Sequence, residues 1–389
     1  MKLLHTSDWH LGRIFNQHSL LDDQAHVLSQ IIEQAREHRV DAVIVAGDIY
    51  DRALPPTDAV KLLDQTLNTF IHELDIPVIM ISGNHDGAQR LGFAANLLKQ
   101  SGLHLFTSFA DLFNPVVLPA AFGQLVIWGI PYCDPESVND FFNVKVTDHQ
   151  GAQEHVTNLL KQHIAEHFSE NCAHVVVSHS FIAGASTSES ERPLSIGGAE
   201  CVDADLFKDF VYTALGHLHQ AQYKGYPHIR YSGSPLKYSF SEVNQKKSTT
   251  LVTFQADRSC EFTLLPLQPR HDVRVIEGRF DDILAAGAED PQRHDYVHIT
   301  ITDKEAILDP LARLRNAYPN ILSFSKAALE RKHNNREQTR EQLARPHLDI
   351  IADFYKNMKG ETLNDEQRQL LADLLDEMNK AEPKMKVTR

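Results

Sequence analysis

Asp8 and His10, Asp48, Asn84 with His85, His179, and the pair His217 and His219 are oxygen and nitrogen donors scattered over more than half of the chain. They sit in short motifs: Asp8-Trp9-His10, Gly47-Asp48, Gly83-Asn84-His85-Asp86, Ser178-His179 and Gly216-His217-Leu218-His219. Carboxylate and amide oxygens mixed with imidazole nitrogens suit Mn, Fe or Zn better than Ca or Mg alone. Two such ions about 3.5–4 Å apart can polarise a phosphate, generate hydroxide at neutral pH and clamp both attacking and leaving oxygens. The chemistry indicated is metal-assisted hydrolysis of a phosphoester.

Asp48 has two carboxylate oxygens and can bridge two cations. The reading gives one ion Asp8, His10, Asp48 and His219, and the other Asp48, Asn84, His179 and His217. Asp8 and His10 alternate along an extended segment and can share one face, as can His217 and His219. With Asn84 turned to a cation, His85 points elsewhere, toward a leaving group, as a general acid. Asp51 is placed to orient His85, and Arg13 and Arg52 are candidate phosphate contacts through charge-assisted hydrogen bonds. Each residue also has a plain reading. A lone histidine is more often core or surface than ligand, and His26, His38, His104 and His163 stay in that class. Asp48 and Asn84 alone would pass as turn residues, and Asp51 with Arg52 as a surface ion pair. The set outweighs these readings because its pieces recur at the ends of apolar runs.

Those runs are Leu3-Leu4, Ala42-Val43-Ile44-Val45-Ala46, Val78-Ile79-Met80-Ile81, Val175-Val176-Val177 and Val211-Tyr212-Thr213-Ala214-Leu215. Helical stripes occupy residues 22–38, a segment starting at Pro55-Pro56-Thr57-Asp58, residues 91–100 up to Ser101-Gly102, and residues 156–168. Short strands are expected at 116–118, 124–129, 249–254 and 261–265, with a Ser-, Glu- and Gly-rich loop over 184–198. Lys246-Lys247 reads as an exposed turn. This order favours a layered α/β protein, two sheets face to face with flanking helices. Gln268-Pro269-Arg270 marks a boundary, followed by strands at 272–276, 296–301 and 321–326 and helices at 280–286 and 305–318. The organisation expected is a core over 1–268, a small α/β cap over 269–329, and a linker with C-terminal helices over 330–389. In that last part, 348–358 and 365–378 are amphipathic, the second carrying a stripe of Leu370, Leu371, Leu374, Leu375 and Met378.

The net charge of −14 argues against simple electrostatic binding of nucleic acid, and the acidic excess lies before residue 331. A DNA substrate would therefore need a partner to supply phosphate-binding surface. The four cysteines form no Cys-x-x-Cys pair and read as thiols in a reducing compartment. No run reaches membrane-spanning length, and Asp8 and His10 break any secretion-signal pattern, so the cytoplasm is the default.

The motifs resemble the calcineurin-like metallophosphoesterase family. Within it, Leu4-His5-Thr6-Ser7-Asp8-Trp9-His10-Leu11-Gly12, Arg90-Leu91 after the Asn84 motif, and Tyr231-Ser232-Gly233-Ser234-Pro235 resemble the SbcD-type nuclease subunits of bacterial SbcCD complexes. Asp51 stands where some relatives carry His, and Ser178 where Gly is common; neither removes a ligand. The resemblance implies an α/β (α+β) four-layer sandwich of two mixed sheets, with the cap and the C-terminal helical segment. It implies a Mn-dependent nuclease with two divalent ions, acting as 3′-to-5′ exonuclease on duplex ends and endonuclease on hairpins or single strands in DNA repair. It also implies a homodimer through residues 90–99, inside a heterotetramer with an SbcC-like coiled-coil ATPase bound by the C-terminal helices and controlling access by its ATP cycle. The competing reading is a small-molecule phosphodiesterase or nucleotidase on the same core, which has little need for cap or tail.

Overall fold

The computed structural model describes residues 1–169, 171–191, 201–303, 305–327, 364 and 367–371. The expected linker, the amphipathic segment 348–358 and most of 365–378 lie outside the described residues, as does the loop beyond residue 191. Among the described residues, one compact unit lies within Met1–Ile276, Asp281–Ile299 and Asp309–Phe324, and a second includes Glu277–Phe280 and the described parts of 300–308 and 325–327. Within the second, Phe280 N–H donates to Asp303 Oδ2 at 2.7 Å and Thr302 N–H to the Gly278 carbonyl at 2.9 Å.

In chain order the elements are β1 (Lys2–Thr6), α1 (Leu21–His38), β2 (Ala42–Val45), α2 (Thr57–Asn68), β3 (Val78–Ile81), β4 (Leu103–Phe106), β5 (Val116–Ala120) and β6 (Gly123–Ile130). Then come α3 (Pro135–Phe142), α4 (His149–His167), β7 (Cys172–His179), β8 (Tyr212–Gly216), β9 (Gln222–Tyr223), β10 (Ile229–Tyr231), β11 (Ser248–Phe254) and β12 (Cys260–Pro266). A three-stranded sheet of β13 (Val273–Gly278), β14 (Tyr296–Ile301) and β15 (Ile321–Lys326) follows, with α5 (Phe280–Glu289) and α6 (Pro310–Ala317) between its strands.

Two six-stranded mixed sheets form the body, in orders β12-β11-β1-β2-β3-β4 and β9-β10-β8-β7-β6-β5. Strands β1 to β4 run parallel, and so do β6, β7, β8 and β10; β11, β12, β5 and β9 run antiparallel to their neighbours. Side chains alternate across a strand, so a strand covered on both faces must be apolar throughout. Leu4, Val43, Val45, Val78 and Met80 pack with Leu28, Ile31 and Ala35 of α1 and Leu63 of α2. Their neighbours Leu3, Ile44, Ile79 and Ile81 share a second core with Ile127, Val175, Val177 and Ala214 of the other sheet. On that sheet's far side, Val126, Trp128, Val176 and Leu215 join Val138 of α3 and Val156 and Leu160 of α4. Helix, sheet, sheet and helix are thus stacked around three apolar layers.

Local chemistry moves several boundaries. Helix α4 begins at His149, well before residue 156, because the Asp148 carboxylate caps it by accepting from Gly151 N–H at 2.8 Å. Helix α6 begins at Pro310, where proline suits the first helical turn, and not at residue 305. The continuous helix expected over 91–100 is broken into Ala88–Leu91 and Ala95–Leu98, with Ala94 left-handed at φ 61° between them. Lys247 is buried, not in an exposed turn; only Lys246 is exposed. Among the described residues no helix is long and apolar enough to cross a membrane.

Candidate metal centre

Backbone pairing levels the strand ends. Thr6 of β1 is beside Val45 of β2, and Val45 beside Met80 of β3; in the other sheet Gly216 of β8 is beside His179 of β7. The residues at or just beyond these carboxyl ends therefore emerge along one edge, where α/β sheets place their ligands. They are Asp8 and His10, Asp48, Asn84 and His85, His179, and His217 and His219.

The chain turns sharply there. Asp8, His10, Asp48 and His217 have φ of 54°, 45°, 50° and 102°, the left-handed region that non-glycine residues seldom occupy. Such backbone costs on the order of 1–3 kcal/mol per residue and persists only where its surroundings over-determine it. Asp8 N–H donates to Gly47 O at 3.0 Å, His10 N–H to Asp48 O at 2.9 Å, and His217 N–H to the Asp8 carboxylate at 3.0 Å. Close approach also needs missing side chains. A Cβ on Gly47, itself at φ 89°, would lie 2.4 Å from His179 Nδ1, and one on Gly83 would lie 2.2 Å from Asp48 Oδ1.

The donor atoms meet. His10 Nε2 lies 3.1 Å from His219 Nε2 and 3.6 Å from Asp48 Oδ2. The same Asp48 oxygen, not the second one, serves the other group: His179 Nε2 lies 3.4 Å from Oδ2 and 3.0 Å from Asn84 Oδ1, and His217 Nδ1 is 3.3 Å from that Asn84 oxygen, while Asp48 Oδ1 accepts from His85 N–H. Ligand atoms of Asp8, His10 and His219, and those of Asp8, Asp48 and His179, each lie within 4.8 Å of one another. His179 turns its Nδ1–H to the Ala46 carbonyl at 2.9 Å, which leaves Nε2 facing the Asp48 and Asn84 oxygens. Mixed oxygens and nitrogens at such spacing, two imidazole nitrogens aimed at each other, and a carboxylate between the two groups fit a pair of divalent cations.

Charge and burial set the protonation states. Burial pushes His10 well below the usual imidazole range and His217 down to about 3. Burial also drives Asp48 upward, but His179 and His10 beside it prevail and hold its carboxyl well below the usual range. His179 shows the converse: burial lowers it, and the neighbouring Asp48 carboxylate outweighs that and lifts it to about 9. Burial lifts Asp8 to about 6 against the pull of His179 and His219.

His85 borders the first donor group, its ring 4.6 Å from that of His10 and its ligand atom within 4.8 Å of those of His10 and Asp51. Its N–H donates to Asp48 Oδ1 at 2.9 Å, and its Nδ1–H is taken by the main-chain carbonyl of Asp51 at 2.8 Å. Asp51 thus orients His85 through its backbone, while its carboxylate accepts from Arg13 Nη1 at 3.1 Å and lies 3.8 Å from His10 Nδ1. Arg13 also donates to Ser190 O at 3.1 Å and covers the Tyr238 ring at 5.0 Å. Arg52 is 58% exposed, with Asp51 Oδ2 3.8 Å away. The sequence reading missed Asp86, whose carboxylate accepts from the N–H groups of Ile49, Tyr50 and Gly83 at 2.9–3.1 Å and ties two ligand loops together. Burial and nearby Asp48 raise it to about 7 against those three donors. Its place directly after His85 was the available signal.

Residues 1–221 match the calcineurin-like phosphoesterase family, and residues 269–359 match a family described as the type 5 capsule protein repressor C-terminal domain. The SbcD component of the nuclease SbcCD of Staphylococcus epidermidis is 34% identical over 381 residues, covering 97% of this chain and 99% of that protein. The protein of the same name from Staphylococcus saprophyticus is 34% identical over 385 residues, covering 98% of this chain and 100% of that protein. A solved phosphatase structure from Mycoplasma pneumoniae covers 69% of this chain and 95% of its own, with a TM-score of 0.39 at 14% identity.

Proposed function

Since the chain belongs to the calcineurin-like phosphoesterase family, and within it to the SbcD family of SbcCD nuclease components, we propose that this metal-dependent phosphodiesterase is the Mn-dependent DNA nuclease subunit of a two-protein complex. The observation that supports the reading is the gathering of donors from five strand ends, with Asp8, His10 and His179 around the Asp48 carboxylate, His219 against His10, and Asn84 with His217 against His179. Asp8, His10, Asp48 and His219 would hold one ion, and Asp48, Asn84, His179 and His217 the other. Bound there, the pair supplies a hydroxide nucleophile and neutralises charge on the phosphate.

The protein's own groups do the rest. His85, oriented by the Asp51 carbonyl, carries on Nε2 the proton for the leaving oxygen. Arg52, exposed beside the site, and Arg13 are the candidate phosphate contacts, with Arg13 held back by Asp51 and Ser190. In this reading residues 1–268 are the nuclease domain, 269–329 the cap, and 330–389 the linker and helices that bind an SbcC-like ATPase. A partner also answers the charge problem, because an acidic protein needs another surface to hold a polyanion. ATP would gate access, the activities being 3′-to-5′ exonuclease and hairpin or single-strand endonuclease. The setting is the cytoplasm, at the nucleoid.

The test is digestion of end-labelled duplex and hairpin DNA with Mn, with and without the coiled-coil ATPase. Cleavage of both, with duplex degradation stimulated by the partner and ATP, is the expected result. Hydrolysis of a small phosphodiester without any cut in DNA would replace it with the small-molecule reading.

A further inference from the structure

One imidazole of the site is held by a chain of side chains that no motif marks. His219 Nδ1 lies 2.6 Å from Ser190 Oγ, which also bonds Glu242 Oε1 at very short range. Glu242 is fully buried, and its other oxygen, Oε2, meets Lys247 Nζ at 2.6 Å. Lys247, also buried, shares its three N–H protons among Glu242 and three further acceptors, His219 O at 2.8 Å, Ser234 Oγ at 2.9 Å and Gln245 Oε1 at 2.8 Å. From the same loop as Ser190, Glu191 Oε1 accepts from His219 N–H at 2.8 Å.

Counting donors and acceptors orders the protons. An ammonium at Lys247 keeps Glu242 ionised, and an ionised carboxylate only accepts. The Ser190 hydroxyl must then donate to Glu242, so its lone pair is what it offers His219. We infer that Ser190 and Glu242, backed by Lys247, are positioning residues that keep His219 protonated on Nδ1 and bare on Nε2, the nitrogen facing His10. Outer partners of this kind fix ring orientation and tautomer, and losing one typically weakens metal binding about 10–100-fold.

The inference rests on the two-cation reading, so the experiment separates them. Calorimetric Mn titration of the full-length wild type, Ser190→Ala and Ser190→Thr is combined with imidazole 15N NMR of the metal-free proteins. Wild type should bind two Mn and show His219 as the Nδ1–H tautomer. Ser190→Ala should lose that tautomer and weaken one of the two sites about 10–100-fold; Ser190→Thr, which keeps the hydroxyl, should restore both. A wild type that binds no Mn overturns the two-cation reading. Two tight sites in Ser190→Ala, matching wild type within twofold and with the tautomer unchanged, overturn only the positioning role. Should Ser190→Ala fail to fold, the wild-type spectrum decides: an Nε2–H signal for His219 overturns the inference.

Discussion

His85 and Asn84 are adjacent in sequence and separate in task. Asn84 Oδ1 faces His179 and His217, whereas His85 turns its Nδ1–H to the Asp51 carbonyl with its ring 4.6 Å from that of His10. A proton donor and a ligand can therefore be told apart by substitution. His85→Gln should lower kcat by about 10²–10⁴-fold while two Mn still bind; loss of a bound ion would move His85 into the ligand set. Gly47→Ala is predicted to fail differently, because its Cβ would collide with His179 and its φ of 89° disfavours any side chain. It should cost more than about 1 kcal/mol in urea unfolding and weaken Mn binding, whereas an unchanged midpoint would show that the loop gives way. The candidate donors were legible in the sequence because aspartate, asparagine and histidine recur after apolar runs, in three of the five motifs directly after glycine. Ser190, Glu191, Glu242 and Lys247 were not, since each is an ordinary polar residue until folding brings together positions separated by dozens of residues. The left-handed backbone at Asp8, His10, Asp48 and His217 was equally hidden: aspartate and histidine tolerate it better than most residues, but tertiary hydrogen bonds select it.

At the level of elements, the site is a consequence of strand register. A parallel strand that slipped by one residue would flip its apolar set to the wrong core and move its ligand off the common edge. The strands were readable because burial on both faces writes an unbroken apolar run. Helix boundaries were less so: Asp148 extends α4 upstream, and a left-handed Ala94 divides the segment after Arg90, features that apolar periodicity does not carry. Ile79 sits between the two sheets, away from the ligands. Ile79→Ala should cost about 2–5 kcal/mol of unfolding free energy, read from the denaturation midpoint, yet leave the Mn stoichiometry at two below that midpoint. Loss of Mn binding in the folded variant would mean that the sheet interface, not only strand register, shapes the site.

For the molecule as a whole, the acidic charge and the apolar surface point outward to partners. Phe93 is 81% and Leu97 75% exposed, beside a groove lined by Leu54, Val60 and Leu91. They fall within residues 90–99, where the family resemblance implies a dimer contact. Phe93→Glu with Leu97→Glu should convert a dimer to a monomer in sedimentation and leave Mn binding intact; an unchanged dimer would place the contact elsewhere. The central claim, however, is that Asp48 lies between two cations. Crystals grown with Mn should give two anomalous peaks, one on each side of that carboxylate, the first against His10 and His219 and the second against Asn84 and His179. A single peak, or none in this cradle while the protein still hydrolyses DNA, would contradict the account.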